Sequence, residues 1–169
     1  MQWWLAKTQI ADAKAAVELD QRAWIVVSRI EGTPVAGKTF RPIVVIKNIG
    51  KTNAYDVNIR ARYFVVARGD KLQYPTDYSP VQGTAKDVVM PPVAEATIGE
   101  YLLAQDNKTP LVLTQPLIDD WTAGKFSIVL MGRVTYKDIF TRSHFLKYCS
   151  SYLPDGDWMD CTSHNEFDH

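Results

Sequence analysis

The spacing of apolar residues changes near residue 22 and divides the chain in two. From Gln2 to about Asp20, Trp3, Ala6, Ile10, Ala13 and Val17 recur every three or four positions. They lie among strong helix formers such as Ala11, Lys14, Ala15, Ala16 and Glu18, which predicts a helix with one narrow apolar seam. Such a seam suits a helix lying against the body or a partner helix. It also suits the base of a membrane anchor, because Trp3-Trp4 has the character of an interfacial aromatic belt.

After Arg22 β-branched and aromatic residues dominate, and the period becomes that of a strand. Ala23–Ile30 reads as a first strand, ended by Glu31-Gly32-Thr33-Pro34, since Gly and Pro do not sit in a central ladder. Lys38–Asn48 reads as a second and is broken at Gly50-Lys51-Thr52-Asn53. In Asp56–Ala67, Val57, Ile59, Ala61, Tyr63 and Val65 alternate with polar Asn58, Arg60 and Arg62, the mark of one buried and one wet face. Residues 68–86 form the longest irregular connection. Val88–Met90 and Ala94–Leu103 are short strands on either side of Pro91-Pro92.

Thr114–Ala123 reads as a helix inside the domain, with Thr114 as N-cap, Pro116 in the first turn and Gly124 just past its end. Phe126–Tyr136, Ser143–Tyr152 and Trp158–Cys161 complete the strands. About seven or eight short strands separated by turn signals predict a mainly β fold, an immunoglobulin-like two-sheet antiparallel sandwich. Residues 1–21 are then a helical stalk or the remnant of a membrane anchor, and 22–169 the sandwich.

Composition narrows the function. At 169 residues the chain has the size of one hydrophobic core, and 46% apolar with 22% charged residues is ordinary for a globular domain. Its 19 basic and 19 acidic side chains cancel without clustering, which argues against nucleic acid as a partner. No apolar run is long enough to span a bilayer, and the first residues lack the apolar core of a signal peptide.

No catalytic signature stands out: there is no phosphate loop, no nucleophile elbow and no pair of histidines on a helix face. The chain therefore reads as a non-enzyme without cofactor or evident small-molecule substrate. The segment from Cys149 to His164 holds the most chemistry. If Pro154-Asp155-Gly156 closes a three-residue hairpin loop, Cys149 faces Cys161 within disulfide range. Reduced structural thiols are an alternative. So is a zinc site drawn from His144, Cys149, Cys161 and His164, although His144 and Cys149 are five apart on one strand and so face opposite sides. Most strand aromatics read as core. Tyr55, Tyr74 and Tyr78 sit in turn-rich stretches and, with Trp3 and Trp4, are candidate partner contacts.

Four strings carry a likeness to known proteins: Arg22–Val27, Lys47–Val57, Tyr136–Phe140 with His144-Phe145 and Cys149, and Cys161–Asp168. In these the chain resembles a broad group of uncharacterised bacterial proteins, in which a transmembrane segment and a short helix precede one immunoglobulin-like domain. Its Asn-x-Gly-Lys-Thr turn is also similar to the adhesion-type sandwich modules of bacterial surface proteins. The resemblance implies a domain of the bacterial cell envelope, tethered through an upstream anchor, without assigned activity. The expected function is non-catalytic protein binding. Self-assembly through the N-terminal helix is the first alternative, and a metal-dependent hydrolase the second.

Overall fold

The computed structural model describes residues 2–72, 88–104 and 108–168, with side chains described from Lys7 onward. Tyr74 and Tyr78 lie outside the described residues, as do the side chains of Trp3 and Trp4.

The chain is mainly β, with two packed antiparallel sheets and two helices. Helix α1 spans Gln2–Asp20 and α2 spans Gln115–Thr122; the strands are β1 (Ile25–Glu31), β2 (Ile43–Asn48), β3 (Ala54–Ala67), β4 (Val88–Met90), β5 (Glu95–Gly99), β6 (Phe126–Lys137), β7 (Ser143–Tyr152), β8 (Trp158–Asp160) and β9 (Glu166–Phe167). One sheet has the order β1-β2-β5. The other has the order β4-β3-β6-β7-β8, with β9 also paired to β7. This is an immunoglobulin-like arrangement in which the fourth strand lies beside the third.

Inward residues of both sheets form the main core. Val44 and Ile46 from β2, Val57 and Ile59 from β3, Leu130 and Val134 from β6 and Tyr148 and Tyr152 from β7 are all buried. Helix α2 closes one end through Trp121, whose ring stacks on Tyr152 at 5.1 Å. Thr114 occupies the N-cap position in extended backbone but makes no side-chain cap bond. Gly124 takes the left-handed turn after the helix, with φ 69°.

β6 is buried on both faces over much of its length, because a second cluster lies on the outer side of its sheet. Val129, Met131 and Cys149 form that cluster, packed by Phe64, Val66, Leu72 and Cys161. On the inner side Gly132 pairs with Tyr148 across β6 and β7. A Cβ at Gly132 would overlap the Tyr148 ring. The absent side chain is what lets that ring lie flat over the neighbouring strand.

Several boundaries differ from the sequence reading, for identifiable reasons. β2 begins at Ile43 rather than Lys38, since Pro42 has no N–H for a ladder, and Thr39 instead bridges Val112. The strand expected over Ala94–Leu103 ends at Gly99, and Leu102 is tied to Leu111 and Phe40. Tyr55 lies on β3 rather than in a turn.

In the turn after β2 neither Asn48 nor Gly50 has positive φ. Asn48 is fully buried and its amide joins four segments. Its Oδ1 accepts from Trp24 N (3.2 Å) and Gly50 N (3.0 Å), and its Nδ2 donates to Thr52 O (2.8 Å) and Met90 O (2.9 Å). Gly50 is required by contact, since a Cβ there would strike the backbone of Arg22, Ala23 and Trp24.

α1 joins the body only near its C-terminal end in the described bonds. Glu18 pairs with Arg142, Asp20 with Lys51 (2.6 Å), and Thr52 donates to Gln21 O (2.6 Å). The expected seam covers no core here: Ile10 is 69% exposed and Val17 59%. Leu19, on another side of the helix, is also exposed. No helix is long and apolar enough to cross a membrane among the described residues.

Candidate functional site: an open cleft beside the first strand

The two sheets are unequal. β1 ends the smaller sheet and touches β7, while β8 and β9 extend the larger sheet beyond it. Among the described strands, β1 and β8 each stand at the end of their sheet. A cleft of about 540 Å³ opens there, lined by Val26–Ile30 on one side and by residues of β7, the 156–160 segment and β9 on the other. That volume lies within the range of ligand-binding clefts.

The far wall is built by the C-terminal segment, which the register of β7 holds in place. Leu153 N donates to Asp157 O and Gly156, with φ 99°, closes the Pro154-Asp155-Gly156 turn, so Tyr152 pairs with Trp158 and Ser150 with Asp160. The next pair in that register is Cys149 and Cys161, whose Cα atoms lie 5.4 Å apart and whose sulfurs form a disulfide. Both sulfurs are thereby unavailable to a metal. Beyond it the chain loops out, and Asn165 replaces a strand partner: its Oδ1 accepts from Cys149 N (2.8 Å) and its Nδ2 donates to Cys161 O (2.9 Å). His164 sits in this loop with φ 68°.

β9 then rejoins β7, and the segment ends on a buried charge cluster. His144 places Nε2 at 2.9 Å from Asp138 Oδ2 and Nδ1 against Asp168 Oδ2. Asp138 also accepts from the N–H groups of Phe140 (2.8 Å) and Arg142 (3.0 Å), and Asp168 from Phe145 N (2.9 Å). Burial pushes the Asp138 carboxyl up, but the His144 contact and the two N–H groups outweigh it, and the group lies below its ordinary value. Asp168 is lowered in the same way: burial opposes, while His144 and Phe145 N favour the charge. Arg22 donates to Asp168 O (3.0 Å) and stacks 3.6 Å over Trp24, which meets Phe167 edge-on at 6.3 Å. This cluster fastens the C-terminal wall to the start of β1.

Both ring nitrogens of His144 are engaged by carboxylates, so neither is open to a metal or a substrate. No group of three or more His, Cys, Asp or Glu side chains is placed to hold a metal among the described residues. Sequence reasoning singled out His144 but missed Asp138 and Asp168. Asp138 had a local signal, an acid opening a turn between two strands. Asp168 had none, because two-residue β9 is too short to show a period.

Within the cleft, Leu146, Tyr148, Trp158 and Phe167 supply apolar surface. Trp158 packs on Tyr152 (4.8 Å) and Tyr63 (6.3 Å), and its buried Nε1 has no hydrogen-bond partner among the described residues. Arg29 is neutralised by Glu31 and by Glu95 (2.9 Å), and Lys147 by Glu166 (2.7 Å). Asp160 accepts only from Ser150 Oγ (2.9 Å), and neither Asp157 nor Asp160 has an ion-pair partner among the described residues. Among the described residues, one end of the cleft therefore carries two carboxylates without an ion-pair partner.

The fold and this cleft define an immunoglobulin-like sandwich with an open strand edge. No protein-family model, no curated protein and no solved structure matches this chain.

Proposed function

We propose that this chain is a non-catalytic protein-interaction domain of the bacterial cell envelope, tethered at a membrane on its N-terminal side. The observation that carries the reading is the cleft beside β1, which pairs exposed Phe167 and the partly exposed Leu146 and Trp158 with the terminal strand of a sheet. The charged cluster beneath it is consumed by internal bonds, in keeping with a structural rather than a catalytic role. Support for the tether comes from Trp3-Trp4 and from a helix whose described ion pairs to the body, Glu18 with Arg142 and Asp20 with Lys51, lie near its C-terminal end.

The test is site-specific photo-crosslinking in bacterial membranes, with benzoyl-phenylalanine at Ser28 on the cleft rim and, as control, at exposed Val89 on β4. A reproducible protein adduct from position 28 and none from 89 is expected. If position 28 yields no adduct and the purified chain does not self-associate, the reading falls.

Exposed Ile10 and Val17 favour a second reading, self-assembly through α1, because β-branched residues seven apart suit a two-helix seam. Sedimentation discriminates: a monomer whose behaviour is unchanged by removing residues 1–20 excludes it.

A further inference from the structure

We infer that the cleft takes an extended segment of another polypeptide, which adds to β1 as a fourth strand and carries a Lys or Arg at the end nearest Asp157 and Asp160. The inference rests on the interaction reading above and names the chemistry of the partner.

β1 is seven residues long and among the described residues pairs with β2 alone, so alternate N–H and C=O groups along its other side point away from the sheet. A strand adds there by main-chain bonds, about 4.8 Å from β1, and in that position it faces β8 and β9 across the sandwich. Its inward side chains meet Leu146, Trp158 and Phe167, which asks for apolar residues at alternate positions. Val27 and Ile30 pack against the core yet are only half-buried, and both line the cleft.

Charge sets the polarity. The cations of the rim are already paired with Glu31, Glu95 and Glu166, whereas Asp157 and Asp160 are not paired among the described residues. An acidic segment would meet no free cation of the cleft; a basic residue would meet two carboxylates. A helix fits less well, since it brings no unpaired backbone groups to the strand edge and its diameter of about 10 Å exceeds one strand spacing.

The experiment uses the full chain and an array of acetylated, amidated nonapeptides. In these, outward positions are Thr, alternate inward positions vary over Val, Ile, Phe and Ser, and the two ends carry Lys or Glu. Bound peptides are expected to have apolar inward residues and one terminal Lys, and to move the amide resonances of residues 26–30. N-methylating alternate backbone nitrogens of the best peptide should weaken it by roughly tenfold or more. Asp157→Lys, a change at an exposed turn, should weaken the lysine-ended peptide by roughly two- to fivefold and spare the fold. Trp158→Phe should leave binding weaker than wild type.

A blank array, binding that survives N-methylation at both registers, or resonance changes confined outside the cleft would overturn the inference. So would movement of the same resonances with protein concentration alone, which assigns the edge to a second copy. A blank array with a protein adduct from position 28 sinks only the strand chemistry, whereas loss of both sinks the interaction reading as well.

Discussion

Asp168 places its carboxylate against the ring of His144, 24 residues earlier in the chain, and so closes the end of the sandwich. Because Asp138 occupies the other ring nitrogen, the two acids act on one imidazole, and their ionisation is coupled to folding.

Acid should therefore unfold the protein through these groups. Both carboxyls lie below their ordinary values in the folded chain, so between the folded and unfolded values the unfolded state binds more protons. Their contribution is complete above the ordinary aspartate value of about 3.9 and is lost as pH falls through the lowered folded values. Melting temperatures measured from pH 7 down to about 2.5 should decline most steeply at the acid end. In Asp168→Asn the decline should be shallower. An unchanged slope in that variant would remove Asp168 from the account.

His144→Ala leaves two carboxylates facing a gap, one of them fully enclosed. Breaking a buried pair by removing one partner costs about 3–5 kcal/mol, and urea denaturation should report a loss of that order. A loss below about 1 kcal/mol would show that water replaces the ring.

The disulfide should matter less. Its two residues are 12 apart, so the closed loop is short and the constraint amounts to roughly 3 kcal/mol at most. Cys149→Ala with Cys161→Ala should give a folded sandwich with near-native circular dichroism and a lower urea midpoint. An unfolded double variant would mean that the outer cluster of Val129 and Met131 depends on the bridge.

Asn48→Asp keeps the shape of the side chain and exchanges two donors for an acceptor. The carboxylate would then face the carbonyls of Thr52 and Met90, both now unsatisfied. Each buried group left unpaired costs about 1–3 kcal/mol, so the variant should lose several kcal/mol and begin melting at the β1–β2 end. Hydrogen exchange at Trp24 and Gly50 would show this first. A variant as stable as wild type would refute the hub assignment.

The strands were largely legible in the sequence and the charged cluster was not, for one physical reason. Alternation in Asp56–Ala67 and Phe126–Tyr136 is a local record of which face each residue turns inward, and β3 and β6 follow it closely. The hairpin at Pro154-Asp155-Gly156 is equally local, since turn residues dictate register. His144 meets Asp138 and Asp168 only after β7 has paired with β9. Nothing within a few residues of Asp168 records that distant partner. The same holds for the cleft, which arises from a difference in the widths of two sheets and from no single motif.

Gly132 and Tyr148 share one volume across the β6–β7 pair. Neither position can drift alone: a side chain at 132 has no room while the ring is present, and losing the ring opens a hole over a bare backbone. Descendants of this sequence should therefore change the two sites together, gaining bulk at 132 where they lose it at 148, and the pair would stand out as a correlated column in any collection of such sequences.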